Sequence, residues 1–220
     1  MSAFELPAFY PILDTGIIAA RALSLAAAAE ALIEAGVRIL QFRHKQFFSR
    51  TTFEQAREVA KLCRAAGVRF VMNDRADLAK LLGAALHLGQ DDLAPSDART
   101  LLPPTEIIGF STHNREQLVL GDAQPVDYLA IGPIFATGSK KNPDPIVGNV
   151  ELAALRELTK KPLVAIGGIA RKTAQSVLHA GADSLAVIGD LYPDELTKLE
   201  LRKRAEEWLA IAEARKKRPG

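Results

Sequence analysis

The residue types that can do chemistry fall in short blocks spread along the chain. Gln41-Phe42-Arg43-His44-Lys45 closes an apolar run with two cations two residues apart. If the run is a strand, side chains alternate, so Gln41, Arg43 and Lys45 share one side while Phe42 and His44 take the other. A guanidinium fork beside an ammonium point charge suits a phosphate or diphosphate. The plainer alternative is a pair of solvated surface cations. Asn73-Asp74-Arg75 and His87-Leu88-Gly89-Gln90-Asp91-Asp92 close two later runs. On neighbouring strands, Asp74 and one carboxylate of the Asp91-Asp92 pair can face each other. Mg²⁺ takes one or two protein carboxylates and completes its shell with water and phosphate oxygens. Here the plainer alternatives are an Asp74–Arg75 ion pair and a solvated acidic turn.

Further blocks follow at Gly109-Phe110-Ser111-Thr112-His113 and at 132–140, Gly-Pro-Ile-Phe-Ala-Thr-Gly-Ser-Lys. Thr137, Ser139 and Lys140 bring two hydroxyls and a charge to a glycine-containing loop, a fair cradle for an anion. His113 can serve as an acid or base, or simply cap or pack against the next helix. Last come Ile166-Gly167-Gly168-Ile169 and Val187-Ile188-Gly189. Barrel enzymes often hold a phosphomonoester between their last two strand-end loops, on backbone N–H groups that glycine leaves open. Tight-turn geometry alone would also explain these glycines.

Something must hold these blocks at one place. Short apolar runs, at 10–14, 38–43, 69–73, 85–88, 106–111, 128–132, 162–166 and 184–188, read as buried parallel strands. Helical periodicity covers 21–35, 53–66, 150–159, 171–180 and 193–214. Three of these helical stretches close on Ala-Gly, at Gly36, Gly67 and Gly181, where glycine can take the left-handed cap. Strand–helix alternation over about 220 residues, with no glycine-rich nucleotide fingerprint after the first strand, predicts a single-domain (β/α)8 TIM barrel, an α/β fold, spanning residues 1–220. Closure explains the blocks, because active sites in such barrels form at the C-terminal ends of the strands. The long loop at 135–148 is of the length used for lids and ligand binding.

Composition narrows the function. With 28 Lys+Arg against 26 Asp+Glu, a net charge of +2, and its one long basic cluster at 215–218, the chain is not expected to bind nucleic acid. No run approaches the roughly 18 apolar residues of a membrane span, and the first residues lack a basic, cleavable leader, so a soluble cytoplasmic protein without a membrane partner is expected. The lone Cys63 excludes an internal disulfide and reads as core packing. Homo-oligomerisation is compatible with the sequence.

Together the blocks predict a mouth with two anion sites, a metal-assisted one on strands two to four and a simpler phosphate site on strands seven and eight. That layout suits an enzyme joining two phosphorylated pieces and releasing diphosphate. The blocks at 41–45, 73–75, 87–92, 109–113, 132–140 and 165–169, in this order and over nearly the whole chain, resemble the thiamine phosphate synthase family. The resemblance implies a transferase of thiamine biosynthesis, acting on a pyrimidine diphosphate and a thiazole phosphate with Mg²⁺. It implies Asp74 and Asp92 as Mg²⁺ ligands, and Arg43, Lys45, Asn73 and Lys140 as diphosphate contacts. Gln41 and Ser111 match residues holding the aminopyrimidine and its leaving group. Thr137, Ser139, Gly168, Ile188 and Gly189 match the thiazole-phosphate side. Arg43, Lys45, Ser111 and Lys140 are the residues expected to assist catalysis. The implied chemistry is dissociative: diphosphate leaves, and the neutral thiazole nitrogen captures the pyrimidinylmethyl cation. No general base is needed.

Three positions depart from the family pattern. His44 stands where Glu is common, but alternation turns it away from Arg43 and Lys45. Ser139 replaces a frequent Thr and keeps the hydroxyl. Gly189 replaces a frequent Ser and loses a side-chain donor. A sibling thiazole tautomerase uses a histidine where this chain has Pro133, and lacks the carboxylates that Asp74 and Asp92 supply. A non-catalytic phosphate-binding barrel would not need to keep Arg43, Asp74 and Lys140 together.

Overall fold

A computed structural model describes residues 5–21, 23–138 and 144–214. Its eight strands are β1 (Phe9–Asp14), β2 (Ile39–Arg43), β3 (Arg69–Asn73), β4 (Ala85–Leu88), β5 (Ile108–Thr112), β6 (Tyr128–Ile131), β7 (Leu163–Ile166) and β8 (Ser184–Val187). They pair in parallel in sequence order, and β8 returns to β1 to close the barrel, as the alternation predicts. Between them run α1 (Thr15–Ala19), α2 (Leu25–Ala35), α3 (Arg50–Ala65), α4 (Ala76–Leu82), α5 (Pro95–Leu101), α6 (Arg115–Asp122), α7 (Gly148–Arg156) and α8 (Arg171–His179). α9 (Lys198–Glu213) follows β8.

Alternation along the strands produces two apolar layers. Tyr10, Ile12, Ile39, Val71, Tyr128, Ala130 and Val164 fill the barrel interior. Their neighbours Leu13, Leu40, Phe42, Met72, Leu129 and Leu163 point outward and pack with the helices. Cys63 is buried in that outer layer. Trp208 of α9 stacks on Phe9 at 5.7 Å between ring centres, fixing the last helix against the first strand.

Four predicted helices begin elsewhere than expected, and the first and last shift the most. Within the stretch predicted as one helix from residue 21, Ser24 accepts from Ala27 N and starts α2 at Leu25, while the Asp14 carboxylate accepts from Gly16 N and Ile17 N and starts the separate short α1. The last helix starts at Lys198 because Thr197 caps it on Glu200 N. Side-chain capping sets both starts. No helix among the described residues is long and apolar enough to cross a membrane.

Candidate active site

β2 delivers its cations as alternation predicts. Gln41 points into the barrel, buried, and donates to Tyr10 Oη at 3.0 Å. Arg43 pairs with Asp14, the residue that ends β1 and caps α1. Asp14 thereby ties the guanidinium to the rim. The sequence reading missed this residue, although an Asp ending the first strand was visible. His44 turns away, bonding Thr15 Oγ1 at 2.7 Å and the Phe47 carbonyl at 3.1 Å.

The carboxylates meet. Lys45 Nζ lies 2.6 Å from Asp74 Oδ2, and the Asp92 carboxyl is within hydrogen-bonding reach of Asp74. Of the two acidic neighbours it is Asp92 that turns inward, accepting from Gly89 N at 2.6 Å, while Asp91 is exposed. Asp74 is the one non-glycine residue with positive φ among those described, at 65°. Its N–H is held by the His87 carbonyl at 2.8 Å, so β3 ends in a turn fixed to β4. The plainer Asp74–Arg75 pairing does not form: Arg75 pairs with Asp77 and lies over the Phe48 ring. Burial pushes the Asp74 carboxyl up to about 6, Lys45 opposes this, and Asp92 adds to it. Two neighbouring carboxylates with one half-exposed ammonium are short of positive charge, which fits a divalent cation completed by substrate oxygens. Among the described residues no cluster of three or more His, Cys, Asp or Glu is arranged to hold a metal. Beside the pair, the buried Asn73 Nδ2 has no hydrogen-bond partner. A buried donor left unpaired is costly, so this amide is short of an acceptor.

On β5, Ser111 Oγ lies 2.9 Å from His87 Nε2. Burial lowers the His87 pKa to about 4, so the ring is neutral. His113 bonds the Gly132 carbonyl through Nδ1 at 2.6 Å, with Asp144 Oδ2 at 3.5 Å, and ties β5 to the loop after β6. That is the packing alternative.

The loops after β6, β7 and β8 gather on the opposite side. Gly167 and Gly168 have φ of 94° and 64°, and a Cβ on Gly168 would overlap the Ala136 carbonyl and approach that of Phe135 at 2.8 Å. Their absent side chains let the β7 loop dock on the β6 loop, where Ile134 N and Phe135 N donate to Ile166 O and Gly167 O. Gly189 opens a short 3-10 turn with open space where a Cβ would stand. Thr137 is half-buried in the β6 loop; Ser139 and Lys140 lie outside the described residues. A cleft of about 460 Å³ runs along α1, lined by Asp14, Gly16, Ile17, Ala20 and Arg21, and reaches Arg43, Gly138 and Ile188. Gln41, Arg43, Lys45, Asn73, Asp74, Asp92 and Ser111 therefore cluster at the ends of β2 to β5, and Thr137, Gly168, Ile188 and Gly189 at the ends of β6 to β8.

Polar groups gathered at the C-terminal mouth of a closed parallel barrel define a (β/α)8-barrel enzyme. The family model described as thiamine monophosphate synthase matches residues 9–191, and the chain belongs to that family, whose members are transferases. It is 48% identical over 213 residues to the thiamine-phosphate synthase of Koribacter versatilis, covering 96% of this chain and 98% of that protein. With the thiamine-phosphate synthase of Methanosarcina barkeri it shares 38% identity over 181 residues, 82% of this chain and 80% of the other. Its fold superposes on thiamine phosphate pyrophosphorylase from Pyrococcus furiosus with a TM-score of 0.79 at 28% identity, covering 94% and 95% of the two chains.

Proposed function

We propose that this enzyme joins an aminopyrimidine diphosphate to a thiazole phosphate, giving thiamine phosphate and diphosphate, and that the ends of β2 to β5 handle the diphosphate while the ends of β6 to β8 hold the thiazole phosphate. The observation that carries the reading is the Asp74–Asp92 pair beside Lys45, with Arg43 in a cleft shared with Ile188. Arg43, Lys45 and Asn73 bind the diphosphate oxygens, with Lys140 assigned to the same group by family resemblance. Gln41 and Ser111 orient the pyrimidine. Thr137, Ser139, Gly168, Ile188 and Gly189 receive the thiazole phosphate.

The reaction breaks the bond between the pyrimidine methylene carbon and the diphosphate oxygen, and the electron pair leaves with the oxygen. The thiazole nitrogen then donates its lone pair to that carbon. No proton moves, so the protein's work is to place the two pieces and stabilise charge on the leaving group. Asp74 and Asp92 would hold Mg²⁺, which when bound neutralises part of the diphosphate charge. We place the enzyme in the cytoplasm, acting on small molecules without nucleic acid or membrane partners; near-balanced charge supports this.

Asp74→Asn and Asp92→Asn test the reading. Each should lower kcat on the order of 10²-fold or more at saturating Mg²⁺, with circular dichroism unchanged. Undiminished turnover by both variants, or by the unaltered enzyme in excess chelator, would refute it.

A further inference from the structure

Four hydrogen bonds cross the barrel interior without a break. Gln41 Nε2 donates to Tyr10 Oη at 3.0 Å, and Tyr10 Oη meets Tyr128 Oη at 3.0 Å. Tyr128 Oη meets His87 Nδ1 at 2.9 Å, and His87 Nε2 meets Ser111 Oγ at 2.9 Å. The chain begins at one proposed pyrimidine residue on β2 and ends at another on β5, passing through β1, β6 and β4. Gly109 makes this geometry feasible, because a Cβ there would overlap the Tyr128 ring.

With the Gln41 amide nitrogen facing Tyr10, counting hydrogens sets the direction. An amide nitrogen only donates, and a phenol has one hydrogen to give. Tyr10 accepts from Gln41 and is fully buried, and among the described residues its only other hydrogen-bond partner is Tyr128, so it donates there. Tyr128 then gives its hydrogen to His87 Nδ1. His87 Nδ1, taking that hydrogen, is the ring's acceptor, so the ring's own hydrogen sits on Nε2 and goes to Ser111 Oγ. Ser111 keeps its own hydrogen, which no acceptor among the described residues takes up. Reversing the chain would require the Gln41 amide turned over, and would strand a buried phenol hydrogen if the amide stayed as it is.

We propose that this relay makes Ser111 an obligatory hydrogen-bond donor toward the pyrimidine substrate, with Tyr10, Tyr128 and His87 as positioning residues that act through it. The proposal rests on the reading of Ser111 as a pyrimidine contact. It specifies the ligand atom that takes the Ser111 hydrogen as an acceptor, a ring nitrogen or a diphosphate oxygen; the exocyclic amino group cannot take that hydrogen and can meet only the hydroxyl's second lone pair.

Two measurements on the full chain test it. Nitrogen NMR of ¹⁵N-histidine protein, with His87 assigned by its loss in His87→Gln, should show a single tautomer protonated at Nε2. A proton on Nδ1, alone or in addition, overturns the polarity. The second is a double-mutant cycle on kcat/KM for the pyrimidine diphosphate. Tyr128→Phe should cost about tenfold with Ser111 present and less than about twofold in the Ser111→Ala background, with the thiazole-phosphate KM unchanged throughout. Equal costs in both backgrounds would mean that Tyr128 merely supports the fold, and would overturn the relay. If Ser111→Ala alone leaves kcat/KM unaltered, Ser111 is not a substrate contact; the reading beneath the proposal fails with the substrate assignment, and the tautomer still decides the polarity separately.

Discussion

The Asp74 carboxyl is raised from its ordinary 3.8 to about 6, chiefly because burial disfavours its charge. The folded state thus binds this proton more tightly than the unfolded chain. The group's contribution to stability is complete below about pH 4 and is lost as pH rises through about 6. Without metal, Asp74→Asn should therefore be more stable than the natural chain above pH 6, by on the order of 1–3 kcal/mol, and equal to it near pH 4. Asn tolerates the positive φ at this position as Asp does. Thermal denaturation across that range checks this; a variant less stable at every pH would contradict the burial account. Activity runs the other way, since the carboxylate form is needed to hold a cation. The acid limb should lie near pH 6 at low Mg²⁺ and move lower as Mg²⁺ is raised, because the cation favours the ionised form. A limb indifferent to Mg²⁺ would remove Asp74 from the metal site.

Among the elements, the glycines after β7 and β8 behave differently. Gly168→Ala forces a Cβ against the Ala136 and Phe135 carbonyls at positive φ, so it should lower Tm by several degrees, reflecting on the order of 1–3 kcal/mol, and raise KM for the thiazole phosphate more than for the pyrimidine diphosphate. Gly189→Ser enters open space, should leave Tm unchanged, and should lower the thiazole-phosphate KM a few-fold by restoring a hydroxyl donor. A Ser variant with a higher KM would displace the phosphate from the β8 turn. The strands were legible because parallel strands buried on both faces leave continuous apolar runs, and alternation correctly put Gln41 and Arg43 on one side. Helix starts were less legible: Asp14 and Ser24 cap through side chains whose orientation follows only from the folded backbone. The same holds within the site. Asp92 rather than Asp91 turns toward Asp74 because of its bond to Gly89 N, and the Arg43–Asp14 pair joins residues 29 apart in sequence. Tyr10 and Tyr128 read as core apolar residues, and nothing in their spacing announces that their hydroxyls meet.

Across the whole molecule, the barrel divides the task. β2 to β5 bring the carboxylates and cations together, β6 to β8 contribute the glycine turns, and one cleft has both Arg43 and Ile188 in its lining. A mouth built this way should make a carbon–nitrogen bond and should not hydrolyse phosphate esters, since catalysis by placement and leaving-group stabilisation leaves water no activated role. The decisive measurement is ³¹P NMR of the purified enzyme with pyrimidine diphosphate, thiazole phosphate and Mg²⁺. Thiamine phosphate and diphosphate should appear in equal amounts, and neither should form in chelator. Orthophosphate as the main product, or no thiamine phosphate under any metal or pH condition, would contradict the account.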